Sequence, residues 1–219
     1  MKLSERLHAA AAPIWQKTLA HPFIVGLGDG SLPLDNFRFY MCQDYVFLIE
    51  YSRLLALATA KAPDLETMGR FANLLDATLN REMALHREFA AQCGISDMEL
   101  VATSVAPTTY AYTRHLVRVA ALADLPEIVA ALLPCQWGYC EIGQMLSRRG
   151  KPANAPFYGQ WIDMYASPEF AALAAWLRDL LDTFDGKADE ERLSDTFCTS
   201  TRYEYLFWDM AYRMEQWPV

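Results

Sequence analysis

Cys135 stands directly after Pro134 in the run LLPCQWGYCEIGQ, which otherwise reads as a helix buried on most sides. A proline within a helix has no N–H to donate and strains the preceding turn, so it opens the backbone beside that thiol. At about 100° per residue, Cys135 and Tyr139 fall about 40° apart and share a face, whereas Cys140 points about 140° away from Cys135. The two cysteines are therefore not spaced to pair. A thiol beside a phenol suits nucleophilic chemistry, and a cysteine packed as a small hydrophobe is the alternative that spacing leaves open.

Two carboxylates lie within aromatic stripes. Tyr40, Asp44, Phe47 and Tyr51 follow i, i+4, i+7, i+11 spacing, as do Phe197, Thr201, Glu204 and Trp208. Burying an acid is unfavourable unless it is paired or hydrogen-bonded, so each needs a ligand, a hydroxyl or a base beside it. Asp44 reads equally as a structural acceptor or a ligand group. Glu204 reads as a buried acid or as one paired with Arg202 or Arg213 on a solvated edge. Tyr110 and Tyr112 in PTTYAYT point about 160° apart, so one of them can face inward. Tyr165, near a helix end in WIDMYASPEF, reads as a core tyrosine or as a ring with an available hydroxyl. Glu82 and His86 are spaced i, i+4, as two metal ligands from one helix would be, but no second such set appears. An internal ion pair or hydrogen bond accounts for them better, and no metal site is expected.

Helices must carry these groups. Helical periodicity dominates, with no strand-length alternation of β-branched residues, and the chain reads as all-α. Helices are expected at about 3–19, from Asp35 to Lys61, from Asp64 to Cys93, at 108–123, from Asp124 and Pro126 to Gly150, at 157–165, from Ser167-Pro168 to before Asp185-Gly186, and at 188–216. Residues 21–33 read as a glycine-rich loop, and residues 96–107 as another. Seven or eight helices with short connections imply a multi-helix bundle, and 219 residues without a linker read as a single domain over 1–219.

Composition narrows the function. The net charge is −8 and no large Lys/Arg cluster appears, which argues against nucleic-acid binding. No run is long and apolar enough for a membrane span, and no export signal is expected at the N-terminus. Five scattered cysteines without CxxC spacing fit reduced thiols in a cytosol.

The segments FYMCQDYVFL, PTTYAYT, LLPCQWGYCEIG, WIDMYASPEF and TSTRYEYLFWDMAY, spread over residues 39–212, resemble the TenA family, also called thiaminase II or aminopyrimidine aminohydrolase. The most specific part is the LLPC segment followed by the SxRYE-like helix, with Thr201 at the small position. The resemblance implies a haem-oxygenase-like bundle that uses no haem, no cofactor, a homotetramer, and hydrolysis of 4-amino-5-aminomethyl-2-methylpyrimidine to the hydroxymethyl compound. Many members also cleave thiamine. It further implies Cys135 as nucleophile, Glu204 as acid/base, Asp44 as the group that holds the aminopyrimidine, Phe47 as an aromatic wall, and Tyr112, Tyr139 and Tyr165 as pocket residues. Some members carry tyrosine where this chain has Phe47. The competing classes are a non-catalytic regulatory or interaction protein on the same fold and a metal-dependent oxygenase. Together, Asp44, Cys135 and Glu204 favour the hydrolase.

Overall fold

The computed structural model describes all 219 residues and contains eleven α-helices with one π-helical segment. They are α1 (Leu3–Leu19), α2 (Pro22–Asp29), α3 (Leu34–Lys61), α4 (Leu65–Ala77), the π segment (Thr78–Glu82), α5 (Met83–Gln92), α6 (Asp97–Val101), α7 (Pro107–Leu122), α8 (Leu125–Arg149), α9 (Pro156–Ala166), α10 (Pro168–Asp182) and α11 (Glu190–Arg213). The all-α expectation is met. No helix is long and apolar enough to cross a membrane.

Local chemistry sets most boundaries. Asp64 accepts from the Thr67 N–H at 2.8 Å to start α4, and Ser167 accepts from Phe170 N–H at 3.2 Å to start α10. Such caps each contribute about 1 kcal/mol by satisfying one orphan amide. Gly150 ends α8 at φ 97°, in the left-handed region.

Three expectations change. Residues 21–33 are not simply a loop, because Pro22–Asp29 form a helix. His21 Nδ1 accepts from Phe23 N–H at 3.1 Å, Pro22 opens the first turn, and Gly30 closes the helix at φ 79°. Burial of Phe23, Ile24 and Leu27 outweighs the two glycines that read as turn residues. The second expected loop contains α6, started by a capping box between Ser96 and Glu99. Finally, the helix expected from Asp64 to Cys93 passes through five π-helical residues just before α5.

The chain divides into two compact units. The first comprises Met1–Pro33 and Val129–Asp209. In it α1 packs on α2 and α10, α9 packs on α2 and α10, and most of α8 and α11 run through it. Its interior includes Trp15, Phe23, Trp161, Phe197 and Trp208. The second comprises Leu34–Ile128 and Met210–Val219. There α3 packs on α4, the π segment, α5, α6 and α7, with Phe37, Tyr40, Tyr51, Phe71 and Leu116 buried.

Candidate active site

In the first unit, α8 carries Cys135 and Tyr139 and α11 carries Glu204. All three are buried, with Cys135 8% and Glu204 6% exposed. Arg202 and Arg213 stay exposed, so Glu204 does not sit on the solvated edge they would have offered. Phe197, Thr201 and Trp208 are buried on the same helix, as their spacing predicts. The Thr201 hydroxyl donates to the Phe197 carbonyl at 2.8 Å, which satisfies it within the helix. Glu204, Thr201, Trp208, Pro134, Gly138 and Trp15 border a cavity of about 10 Å³, near the size that accepts one water.

Tyr139 gathers aromatic neighbours from two other helices. Its ring centroid lies 4.7 Å from that of Tyr165 in an edge arrangement, 5.1 Å from Trp208 and 5.8 Å from Trp161. Gly143, one turn after Tyr139, makes this approach possible. A Cβ there would stand 2.6 Å from the Tyr165 carbonyl carbon and 2.7 Å from the Ala166 nitrogen, so the glycine lets the end of α9 lie directly on α8. Sequence reasoning missed Trp161 as part of this cluster. Its i, i+4 spacing to Tyr165 in WIDMY was the available signal.

Burial pushes the thiols of Cys42, Cys93 and Cys140 up, which keeps them protonated near neutral pH and suits them to packing.

In the second unit, α3 presents Asp44, Phe47 and Tyr51, all buried. Phe47 lies 5.2 Å from the ring of Tyr112 on α7 and stacks on Tyr51 at 5.8 Å with 16° between planes. Tyr112 is 1% exposed and Tyr110 48%, so of the two phenols the inward one is Tyr112. Beside Asp44, the Gln43 side chain donates to the Ser104 carbonyl at 2.9 Å and accepts from Ala106 N–H at 3.0 Å. Ala106 is the N-cap residue of α7, so Gln43 ties the start of the helix that carries Tyr112 to the residue next to Asp44.

Asp44, 5% exposed, lies with its Oδ2 3.4 Å from Nε2 of His86 on α5, itself 6% exposed. His86 thus pairs across helices rather than along its own helix with Glu82. No local signal could have disclosed that contact, because it forms only when α5 packs on α3. Glu82 is pushed up to about 7, chiefly by burial and then by the Asp44 charge, with the Thr78 hydroxyl opposing the shift. No group of three or more His, Cys, Asp or Glu side chains is placed to hold a metal ion.

The family model for the TENA/THI-4/PQQC family matches residues 8–214 and so runs through both units. The chain is 47% identical to the aminopyrimidine aminohydrolase of Halalkalibacterium halodurans, covering 99% of this chain and 98% of that one. It is 40% identical to the enzyme of the same name from Bacillus subtilis, over 99% and 92%. Among solved structures, a TenA homologue from P. horikoshii OT3 superposes with a TM-score of 0.92 at 29% identity, covering 97% of this chain and 99% of that one. A Shewanella denitrificans domain described as having a heme oxygenase-like fold superposes at 0.73 over 96% and 92%, a likeness of fold alone at 14% identity.

Proposed function

The chain belongs to the TENA/THI-4/PQQC family, and on that premise we propose that it is a hydrolase of thiamine salvage, an aminopyrimidine aminohydrolase. It converts 4-amino-5-aminomethyl-2-methylpyrimidine and water to 4-amino-5-hydroxymethyl-2-methylpyrimidine and ammonia. The observation that carries this reading is near-full-length identity to enzymes of that name, at 47% and 40%. The fold is shared with a solved TenA homologue and with a domain described as heme oxygenase-like.

Cys135 is the nucleophile in this reading. Its thiolate adds to the electron-poor ring CH beside the carbon that bears the aminomethyl group, forming a C–S bond and interrupting aromaticity. The C–N bond then breaks, and ammonia leaves as a proton is delivered to it. Water adds to the resulting exocyclic methylene, its surplus proton is taken up, and loss of the thiolate restores the aromatic ring. Glu204 moves the protons, and its burial beside Thr201 and Trp208 supports that role by keeping the carboxyl away from bulk solvent. Asp44 accepts from the amidine-like N–H edge of the ring, and Phe47, Tyr112, Tyr139 and Tyr165 are the aromatic substrate contacts. Phe47 has no hydroxyl to offer, so its part is packing.

The same leaving-group logic extends to thiamine, where the thiazole departs in place of ammonia. Residues 1–219 work as one TenA-like domain, a reading supported by a family match that spans both units. The protein acts in the cytoplasm, and it forms a homotetramer whose mass light scattering on the purified protein measures directly.

Purified protein with no added metal should release ammonia from the aminomethylpyrimidine. Cys135→Ser should abolish that release while the helical circular dichroism stays unchanged. Undiminished turnover in the variant, or strict dependence on added iron, would sink the proposal. With thiamine as substrate, chromatographic detection of the hydroxymethylpyrimidine and the released thiazole alcohol measures the second activity.

A further inference from the structure

His86 is buried with both imidazole nitrogens lacking a hydrogen-bond partner. Buried polar groups are nearly always satisfied, so one that is not calls for a physical reason. The nearest acid supplies one. Nε2 lies 3.4 Å from Asp44 Oδ2, close enough for ion pairing yet without the geometry of a hydrogen bond. Bonds that serve a reaction are often long or misaligned before substrate binds and tighten in the complex.

One aromatic ring flanks the imidazole. The Tyr45 ring centroid lies 6.1 Å from that of His86, and the Arg87 guanidinium covers Tyr45 at 5.9 Å from its centroid while donating to its hydroxyl at 3.4 Å. On the preceding turn is Glu82, which ends the π-helical segment and leads directly into α5. Single π turns inside helices recur at functional sites, because the extra residue re-aims the side chains that follow. Here it precedes the helix that carries His86.

We propose that His86 is the positioning residue for Asp44: its Nε2–H closes onto Oδ2 when an aminopyrimidine binds and turns the remaining oxygen, Oδ1, toward the ring's N–H edge. This rests on the reading of Asp44 as the group that holds the substrate. The imidazole itself touches no reacting atom. It acts by restricting the carboxylate to one orientation, so its removal weakens binding more than it slows the chemistry.

The test uses the full-length protein, 4-amino-5-hydroxymethyl-2-methylpyrimidine as a calorimetric probe, and the aminomethyl compound as substrate. His86→Leu should weaken probe binding about tenfold and raise KM comparably, with kcat within about threefold of the parent. His86→Gln, whose amide N–H reaches near the Nε2 position, should restore both to within about threefold. In the Asp44→Asn background, His86→Leu should add no further loss of binding, since the carboxylate it orients is gone. A purely structural role would lower kcat and thermal stability with KM unmoved, and would show no rescue by glutamine. Either that pattern or full additivity with Asp44→Asn overturns the inference. Failure of the functional reading shows separately, in the parent: a parent that neither binds the probe nor turns over the substrate overturns both, whereas an active parent with unaffected His86 variants overturns this inference alone.

Discussion

Glu82 is a carboxyl group that folding makes harder to ionise. Its value rises from 4.5 to about 7 through burial and the charge of Asp44. Below about pH 4.5 it is protonated in both folded and unfolded chains and contributes no pH dependence. Between 4.5 and 7 the unfolded chain loses this proton first, so the native state binds more protons and stability falls as pH rises. Above 7 the full loss is present, about 1–3 kcal/mol after allowance for the partial exposure of the residue. Glu82→Gln carries no charge at any pH and should remove this slope. Its Tm is expected to match the parent near pH 4 and to exceed it by about 2–8 °C at pH 8. Parallel Tm profiles for the two proteins would contradict the assignment. Asp44 and Glu82 were both visible in the sequence as acids in unusual company, but the interaction between them was not, because it joins two helices whose packing no local pattern encodes.

At the scale of elements, helix contacts decide where the aromatic groups meet. Tyr139 reaches Tyr165 because Gly143 leaves room for the α9 backbone against α8. Gly143→Ala would force a methyl into contact with backbone atoms, which cannot swing aside as a side-chain end can. Overpacking of this kind costs about 1–3 kcal/mol. We expect a lower Tm and a kcat/KM reduced about fivefold or more, read by thermal melts and the ammonia assay. Wild-type values in both would show that α9 yields without displacing Tyr165. The glycine was legible as a residue, whereas its purpose was not: within a helix it looks only like a weak helix former. Similarly, α2 escaped the periodicity argument. Eight residues with one proline and two glycines look like a turn until Phe23, Ile24 and Leu27 are seen to be buried.

At the scale of the whole molecule, the chain leaves the first unit at residue 33, builds the second through residue 128, and returns to the second with its last ten residues. That final segment is tied down within its unit. Asn36 donates to the carbonyls of Ala211 and Tyr212, Trp217 Nε1 donates to the Val105 carbonyl at 2.8 Å, and Glu215 accepts from Thr108 N–H at 2.9 Å. The last contact supplies what α7 lacks. Its N-cap is Ala106, which has no capping side chain, so a carboxylate from distant sequence meets the exposed amides at the positive end of the helix. Deleting residues 214–219 should therefore lower stability by about 1–3 kcal/mol, seen as a reduced denaturant midpoint. An unchanged midpoint would mean that α7 finds another cap.

The sequence by itself determined that the chain is helical, where most helices begin and end, that Tyr112 or Tyr110 but not both turns inward, and that the chain resembles the TenA family. Each of these depends on spacing, caps or motifs within a few turns of helix, where side-chain chemistry acts on its own backbone. Tertiary structure alone decided that His86 faces Asp44, that Gly143 admits Tyr165, and that Glu215 caps α7. Those contacts join residues far apart along the chain, and they exist only because burying apolar faces brings separate helices within reach of one another.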